Sequence, residues 1–165
     1  MGWMFNTDRV ESWAYMDKVF TPEECEKIVR IGKAKNPQSS TIVGAGLKGE
    51  INKGIRDNTN SWINEQDNVN WVYEKLTSAV AEANIRFFNF DLYGFCEDLQ
   101  FTQYAEIGQH YNEHLDKVLY GATRKLTAVV QLTDPTTYEG CNLELITGQK
   151  DLMKKDQGTI LFFPS

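Results

Sequence analysis

After Asn84 the chain breaks into short apolar runs, IRFFNFDLYGF, LQFTQYA, RKLTAVVQL, CNLELI and GTILFFP, and this punctuated half limits the possible folds more than any other feature. Each run is rich in β-branched or aromatic residues, and Gly, Asn, Asp or Pro clusters separate them, which is the pattern of a sandwich or barrel. The segment DPTTYEG, residues 134 to 140, carries Pro and Gly where a chain reversal between two strands needs them.

The first half reads differently. SWAYMDKVF, residues 12 to 20, predicts a short strand ending at Thr21. Thr21, Pro22 and Glu24 then form a helix start: an N-cap, a proline at the first helical position and the glutamate of a capping box. Cys25, Ile28, Val29 and residues 31 to 34 supply its apolar face, and Asn36-Pro37 ends it. Cys25 is read as a small buried hydrophobe. The run SSTIVGAG predicts a strand with long mobile flanks. RDNTNSW, Arg56 to Trp62, reads first as an ordinary loop with Trp62 tucked into the core, and second as a substrate-contacting loop. From Asp67 to Asn84, residues Val69, Val72, Tyr73, Leu76, Ala79, Val80 and Ala83 repeat at helical spacing and predict an amphipathic helix laid against a sheet.

A length of 165 residues suits a single domain, 1–165, with a core of its own. With 17 Lys+Arg against 23 Asp+Glu, the net charge of −6 argues against nucleic acid or an anionic membrane as a partner. Three cysteines without C-x-x-C spacing indicate neither a disulfide framework nor a cysteine zinc site, and suit a reducing compartment. The opening MGWMFNTDR lacks an apolar signal core, Asn6 spoils a myristoylation signal, and no run of about 18 apolar residues occurs. A cytoplasmic protein is the expectation, and its oligomeric state is not readable from the sequence.

The chain's two histidines, His110 and His114, both fall in LQFTQYAEIGQHYNEHLD, residues 99 to 116, together with Tyr104, Tyr111, Glu113 and Asp116. His110 to His114 matches H-x-x-E-H, the pattern of an inverted zinc peptidase, which works only on a helix. The strand-like lead-in and Gly108 oppose a helix here. His114-Leu115-Asp116 is also H-x-D. On a strand, residues i and i+2 share a face, so an imidazole and a carboxylate can meet at one metal. With a third donor that set is the 2-His-1-carboxylate triad of non-haem Fe(II) oxygenases.

The ordered series Q-x-T-x-Y-x-x-x-G-x-x-Y-x-x-H-x-D, R-K-L-T, E-G-x-x-L-E-L and G-T-x-L-F-F-P-S resembles the prolyl 4-hydroxylase-like family of 2-oxoglutarate- and Fe(II)-dependent dioxygenases. FTPEECEKIV, Phe20 to Val29, is similar to the family's first helix, and RDNTNSW to a segment near its substrate cleft. The resemblance implies a mainly β double-stranded β-helix, or jelly roll, with flanking helices. It implies His114 and Asp116 as metal ligands, Tyr104 and Thr127 as contacts of 2-oxoglutarate, and Arg56 and Trp62 as substrate contacts. His110 matches no family ligand and reads as a rim residue facing water. Fe(II), 2-oxoglutarate and ascorbate are the implied cofactors, and a peptide or protein with a prolyl residue is the implied partner. The family's second histidine and its basic 2-oxoglutarate anchor fall beyond the L-F-F-P-S strand, and Lys154 and Lys155 come too early for the latter. The chain is therefore expected to be the N-terminal portion of a longer polypeptide whose last strands are missing here. Two rival readings stay open: a jelly-roll binding module without a complete metal site, and a zinc hydrolase using Glu113.

Overall fold

The computed structural model describes residues 10–43, 49–116 and 124–165. The opening MGWMFNTDR and part of SSTIVGAG, residues 44 to 46, lie outside the described residues. In chain order the first elements are strand β1 (Ala14–Met16), helix α1 (Pro22–Ala34), and strands β2 (Gln38–Ser39), β3 (Ile42–Val43), β4 (Gly49–Glu50), β5 (Arg56–Asp57) and β6 (Thr59–Ile63). Helix α2 (Asn70–Ala83) follows, then β7 (Leu99–Gln103), β8 (His110–Tyr111), β9 (Leu126–Val130), β10 (Glu144–Ile146), β11 (Lys150–Leu152) and β12 (Ile160–Pro164). The protein is mainly β with few helices.

Helix α1 starts as its residues require. Thr21 accepts from the Glu24 amide at 3.3 Å, and the Glu24 carboxylate accepts from the Thr21 amide at 2.8 Å. The same carboxylate takes Lys75 of α2 at 2.6 Å, which ties the two helices together. At the far end, Asn36 adopts the left-handed conformation, φ 51°, ahead of Pro37.

Two antiparallel three-stranded sheets carry most of the order: β1-β12-β9 and β2-β6-β7. Strand alternation gives each a helix-facing side and an opposite side. On β6 and β7, Ser61, Ile63 and Phe101 turn toward the helices; the Ser61 hydroxyl donates to the carbonyl of Gly32 in α1 at 2.8 Å. A Cβ on Gly32 would fall 2.3 Å from the Phe101 ring, so only glycine permits this approach. On β12, Ile160 and Phe162 join Phe20, Cys25, Ile28, Val72, Leu76, Ala79, Phe88 and Phe101 in one buried cluster. Burying each large side chain there is worth roughly 1.5–3 kcal/mol. The alternate residues Asn60, Trp62, Gln100 and Thr102 on one sheet, and Thr127, Val129, Leu161 and Phe163 on the other, point away from the helices. That is the side where the chemistry-bearing residues gather.

Four sequence expectations change. The strand expected over residues 12 to 20 is three residues long, because Lys18 turns the chain with φ 56°. IRFFNFDLYGF is not a strand: Asn84–Phe88 continues α2 as a π-helical turn, Phe88 is buried beneath it, and the rest is irregular. Asn84 stops that turn by clamping Phe90, donating to its carbonyl at 2.8 Å and accepting from its amide at 2.9 Å. RDNTNSW is no loop but the two strands β5 and β6, and Trp62 is not in the core; it is 41% exposed, since Ser61 and Ile63 occupy the inward positions. The turn DPTTYEG appears as expected, around a 3-10 turn at Pro135–Thr137 capped by Asp134. CNLELI forms β10, which pairs with β11, a strand the sequence reading omits.

Candidate metal centre

β8 positions the centre. Arg56 and Asp57 of β5 pair with Tyr111 and His110, and the Asn112 amide donates to the Ile55 carbonyl at 2.9 Å. Beyond Tyr111 the chain leaves the ladder, so His114 and Asp116 sit on irregular backbone rather than on the expected strand. They converge nonetheless. His114 Nε2 lies 3.1 Å from Asp116 Oδ1, and His114 Nδ1 lies 2.7 Å from the Asn112 carbonyl. A carbonyl only accepts, so Nδ1 carries a proton and Nε2 is the nitrogen presented to Asp116.

The hydrogen bond to Asp116 is the largest influence on His114 and raises its pKa above the usual histidine value, against the opposing effect of burial. Burial pushes the Asp116 carboxyl up, but hydrogen bonds from His114 and Thr127, with the charges of His114 and Arg124, outweigh it and leave the group below the usual range. Thr127 is thus beside Asp116, and its hydroxyl also meets that of Ser165 at 2.7 Å.

Above the imidazole is a stack. The Tyr111 ring lies 3.6 Å from that of His114, inclined by 17°, and the Arg56 guanidinium sits 4.5 Å from the Tyr111 ring centre. Arg56 is held in plane by Gln100 Oε1 at 2.9 Å and by Asn58 Oδ1 at 3.3 Å. Asn58 is 2% exposed, and its Oδ1 also accepts from the Ser40 hydroxyl. The Arg56 N–H can only donate, which fixes the amide oxygen toward it and turns Nδ2 the other way. Among the described residues that buried Nδ2 has no hydrogen-bond partner of standard length. Burial raises the pKa of the Tyr104 phenol, while the Asn58 side chain and the Arg56 charge act against it, so Tyr104 belongs to the same group.

Five of the six residues named from the sequence therefore come together: His114, Asp116, Thr127, Tyr104 and Arg56. Trp62 lies on the same sheet face, directly across from Gln100. His110 lies half-exposed at the edge of this group, and its ring also has protein partners. Its two ring nitrogens meet the carbonyls of Gly108 at 2.9 Å and Gly54 at 3.4 Å. The H-x-x-E-H alternative finds no helix: His110 is on β8, and the exposed Glu113 follows in irregular chain.

Comparison with solved structures adds the fold. A Pseudomonas putida prolyl-4-hydroxylase superposes with a TM-score of 0.63 at 17% identity, over 93% of this chain and 81% of that one. The viral collagen prolyl hydroxylase of Paramecium Bursaria Chlorella virus-1, solved as its 2OG complex, gives a TM-score of 0.66 at 21% identity, over 93% of this chain and 78% of that one. The fold is that of these prolyl hydroxylases. No protein-family model matches the chain, and no curated protein matches it either. No helix among the described residues is long and apolar enough to cross a membrane.

His114 Nε2 and Asp116 Oδ1, 3.1 Å apart, are an imidazole nitrogen and a carboxylate oxygen, donors of the kinds that non-haem iron takes. Among the described residues no third His, Cys, Asp or Glu joins them. Sequence reasoning missed Asn58, Gln100 and Arg124 as parts of the centre. Gln100 stood in the quoted motif series, and its period-2 relation to Thr102 and Tyr104 was the available signal. Arg124 opens the quoted R-K-L-T and Asn58 lies within RDNTNSW, but their contacts with Glu97 and Ser40 join residues distant in sequence and leave no local signal.

Proposed function

We propose that this protein is a 2-oxoglutarate- and Fe(II)-dependent dioxygenase with a jelly-roll domain, acting on a prolyl residue of a peptide or protein. The observation that carries the reading is the 3.1 Å approach of His114 Nε2 to Asp116 Oδ1, in a chain with the fold of prolyl hydroxylases. Iron bound there would activate dioxygen, decarboxylate 2-oxoglutarate to succinate and carbon dioxide, and hydroxylate a substrate C–H bond.

The protein's own part is orientation. The bond from His114 Nδ1 to the Asn112 carbonyl keeps Nε2 aimed at the metal position, the role outer partners play for metal-bound histidines. Thr127 holds one side of the Asp116 carboxylate through its hydroxyl. Tyr104 offers a phenol, neutral at physiological pH, as a hydrogen-bond donor to a 2-oxoglutarate carboxylate. Arg56, bonded to Gln100, and Trp62, directly across from it on β6, form the wall that meets the peptide.

The test is succinate formation from 2-oxoglutarate by anaerobically Fe(II)-loaded protein on admission of oxygen, with a prolyl peptide supplied. Succinate should form, and His114→Ala and Asp116→Ala should abolish it. No succinate from protein shown to bind both iron and 2-oxoglutarate would overturn the reading in favour of a binding module.

A further inference from the structure

Resting on the reading of His114 and Asp116 as metal donors, we propose that Arg124 is a positioning residue that fixes Asp116 from its main chain, with Glu97 as its anchor. The carboxylate of Asp116 is already restrained by His114 and Thr127, but its backbone lies on irregular chain beyond β8, with no ladder to hold it. Arg124 supplies the missing restraint. Its Nη1 donates to the Asp116 carbonyl at 2.9 Å, and its Nη2 pairs with the Glu97 carboxylate.

The geometry depends on a fork. Both donors sit on one rigid guanidinium plane, so the Glu97 contact sets where the Asp116 carbonyl must be. Each partner enters from a defined element: Glu97 is two residues before β7, and Arg124 two residues before β9, the strand that carries Thr127. β9 and its lead-in thereby hold the same aspartate twice, Arg124 at its carbonyl and Thr127 at its carboxylate, while Glu97, on the lead-in to β7 of the other sheet, anchors the arginine. The Arg124 side chain is 24% exposed, less than the 45% of Glu97, so the arginine spans inward from the anchor rather than lying on the surface. An ordinary surface ion pair, worth little by itself, would leave metal binding untouched. A fork that sets the ligand would not.

The experiment is calorimetric titration of the full chain with Mn2+, an oxygen-stable stand-in for Fe(II), alongside thermal melting of each variant. Arg124→Gln and Arg124→Lys should each weaken Mn2+ binding about tenfold or more, the range known for outer partners of metal ligands. Lysine should fail to rescue, because one ammonium cannot hold the two partners in a fixed plane. Glu97→Gln, which cuts the anchor but not the carbonyl contact, should weaken binding less. All should melt within a few degrees of the wild type. Wild-type Mn2+ affinity in Arg124→Lys, while His114→Ala loses it, would overturn the positioning role alone. Unchanged affinity in His114→Ala would overturn the metal reading and this inference with it. Should Arg124→Gln not fold, Arg124→Lys and Glu97→Gln carry the test, and wild-type affinity in both would refute it.

Discussion

Tyr111 and His114 lie ring on ring, 3.6 Å between centres, and the Arg56 guanidinium covers the outer face of Tyr111 at 4.5 Å. The stack spans three residues from β5, β8 and the segment after it, and it removes rotational freedom from the imidazole. Tyr111→Leu should therefore weaken Mn2+ binding about 10- to 100-fold, as loss of an orienting partner does. Tyr111→Phe, which keeps the ring, should stay near the wild type. Calorimetry on both separates ring packing from any role of the hydroxyl.

His110 should make the β5–β8 ribbon sensitive to pH. Its ring nitrogens face two carbonyls, Gly108 and Gly54, and only the imidazolium can donate to both. Those backbone contacts, the Gly108 one foremost, raise its pKa, with a further contribution from Asp57 across the ladder. Lys53 pairs with Asp57 at 3.3 Å and is the other charge nearby. Because the folded pKa is raised, the contribution to stability is complete below the unfolded histidine value and is lost as pH rises through the folded one. Amide exchange at Arg56 and Asn112, corrected for intrinsic rates, should accelerate over that window. In His110→Ala the acceleration should be absent.

Gly158 is a sensitive point of the core. Its φ is +80°, and a Cβ there would lie 1.9 Å from the Phe20 carbonyl oxygen. The Phe20 amide donates to the Gly158 carbonyl at 3.2 Å, so the two backbones cannot separate freely. Gly158→Ala should destabilise the protein by roughly 1–3 kcal/mol from the strained conformation, with the clash added. Denaturant unfolding measures it, and an unchanged midpoint would contradict the contact.

Much of the fold was legible where local chemistry decides it. The capping box at Thr21 and Glu24 and the strands at Leu99–Gln103, Leu126–Val130 and Ile160–Pro164 all follow from residue type and spacing. The errors arose where tertiary context overrides local preference. Phe87 and Phe88 read as strand residues, yet they extend α2 because Phe88 finds its burial in the core shared with both helices. Trp62 reads as a core residue, yet the register of β6 on β7 turns it outward. At the candidate metal centre, H-x-D was visible as a motif. The Arg56–Gln100, Ser40–Asn58 and Arg124–Glu97 contacts were not, since each joins residues that only the folded chain brings together.

The central claim is that His114 and Asp116 hold the metal through which 2-oxoglutarate is bound. Calorimetric titration with Mn2+, followed by 2-oxoglutarate, tests it most directly. The account predicts a single Mn2+ per chain, 2-oxoglutarate binding only once the metal is present, and loss of both in His114→Ala and in Asp116→Ala. Binding of Mn2+ by His114→Ala with wild-type affinity would contradict it.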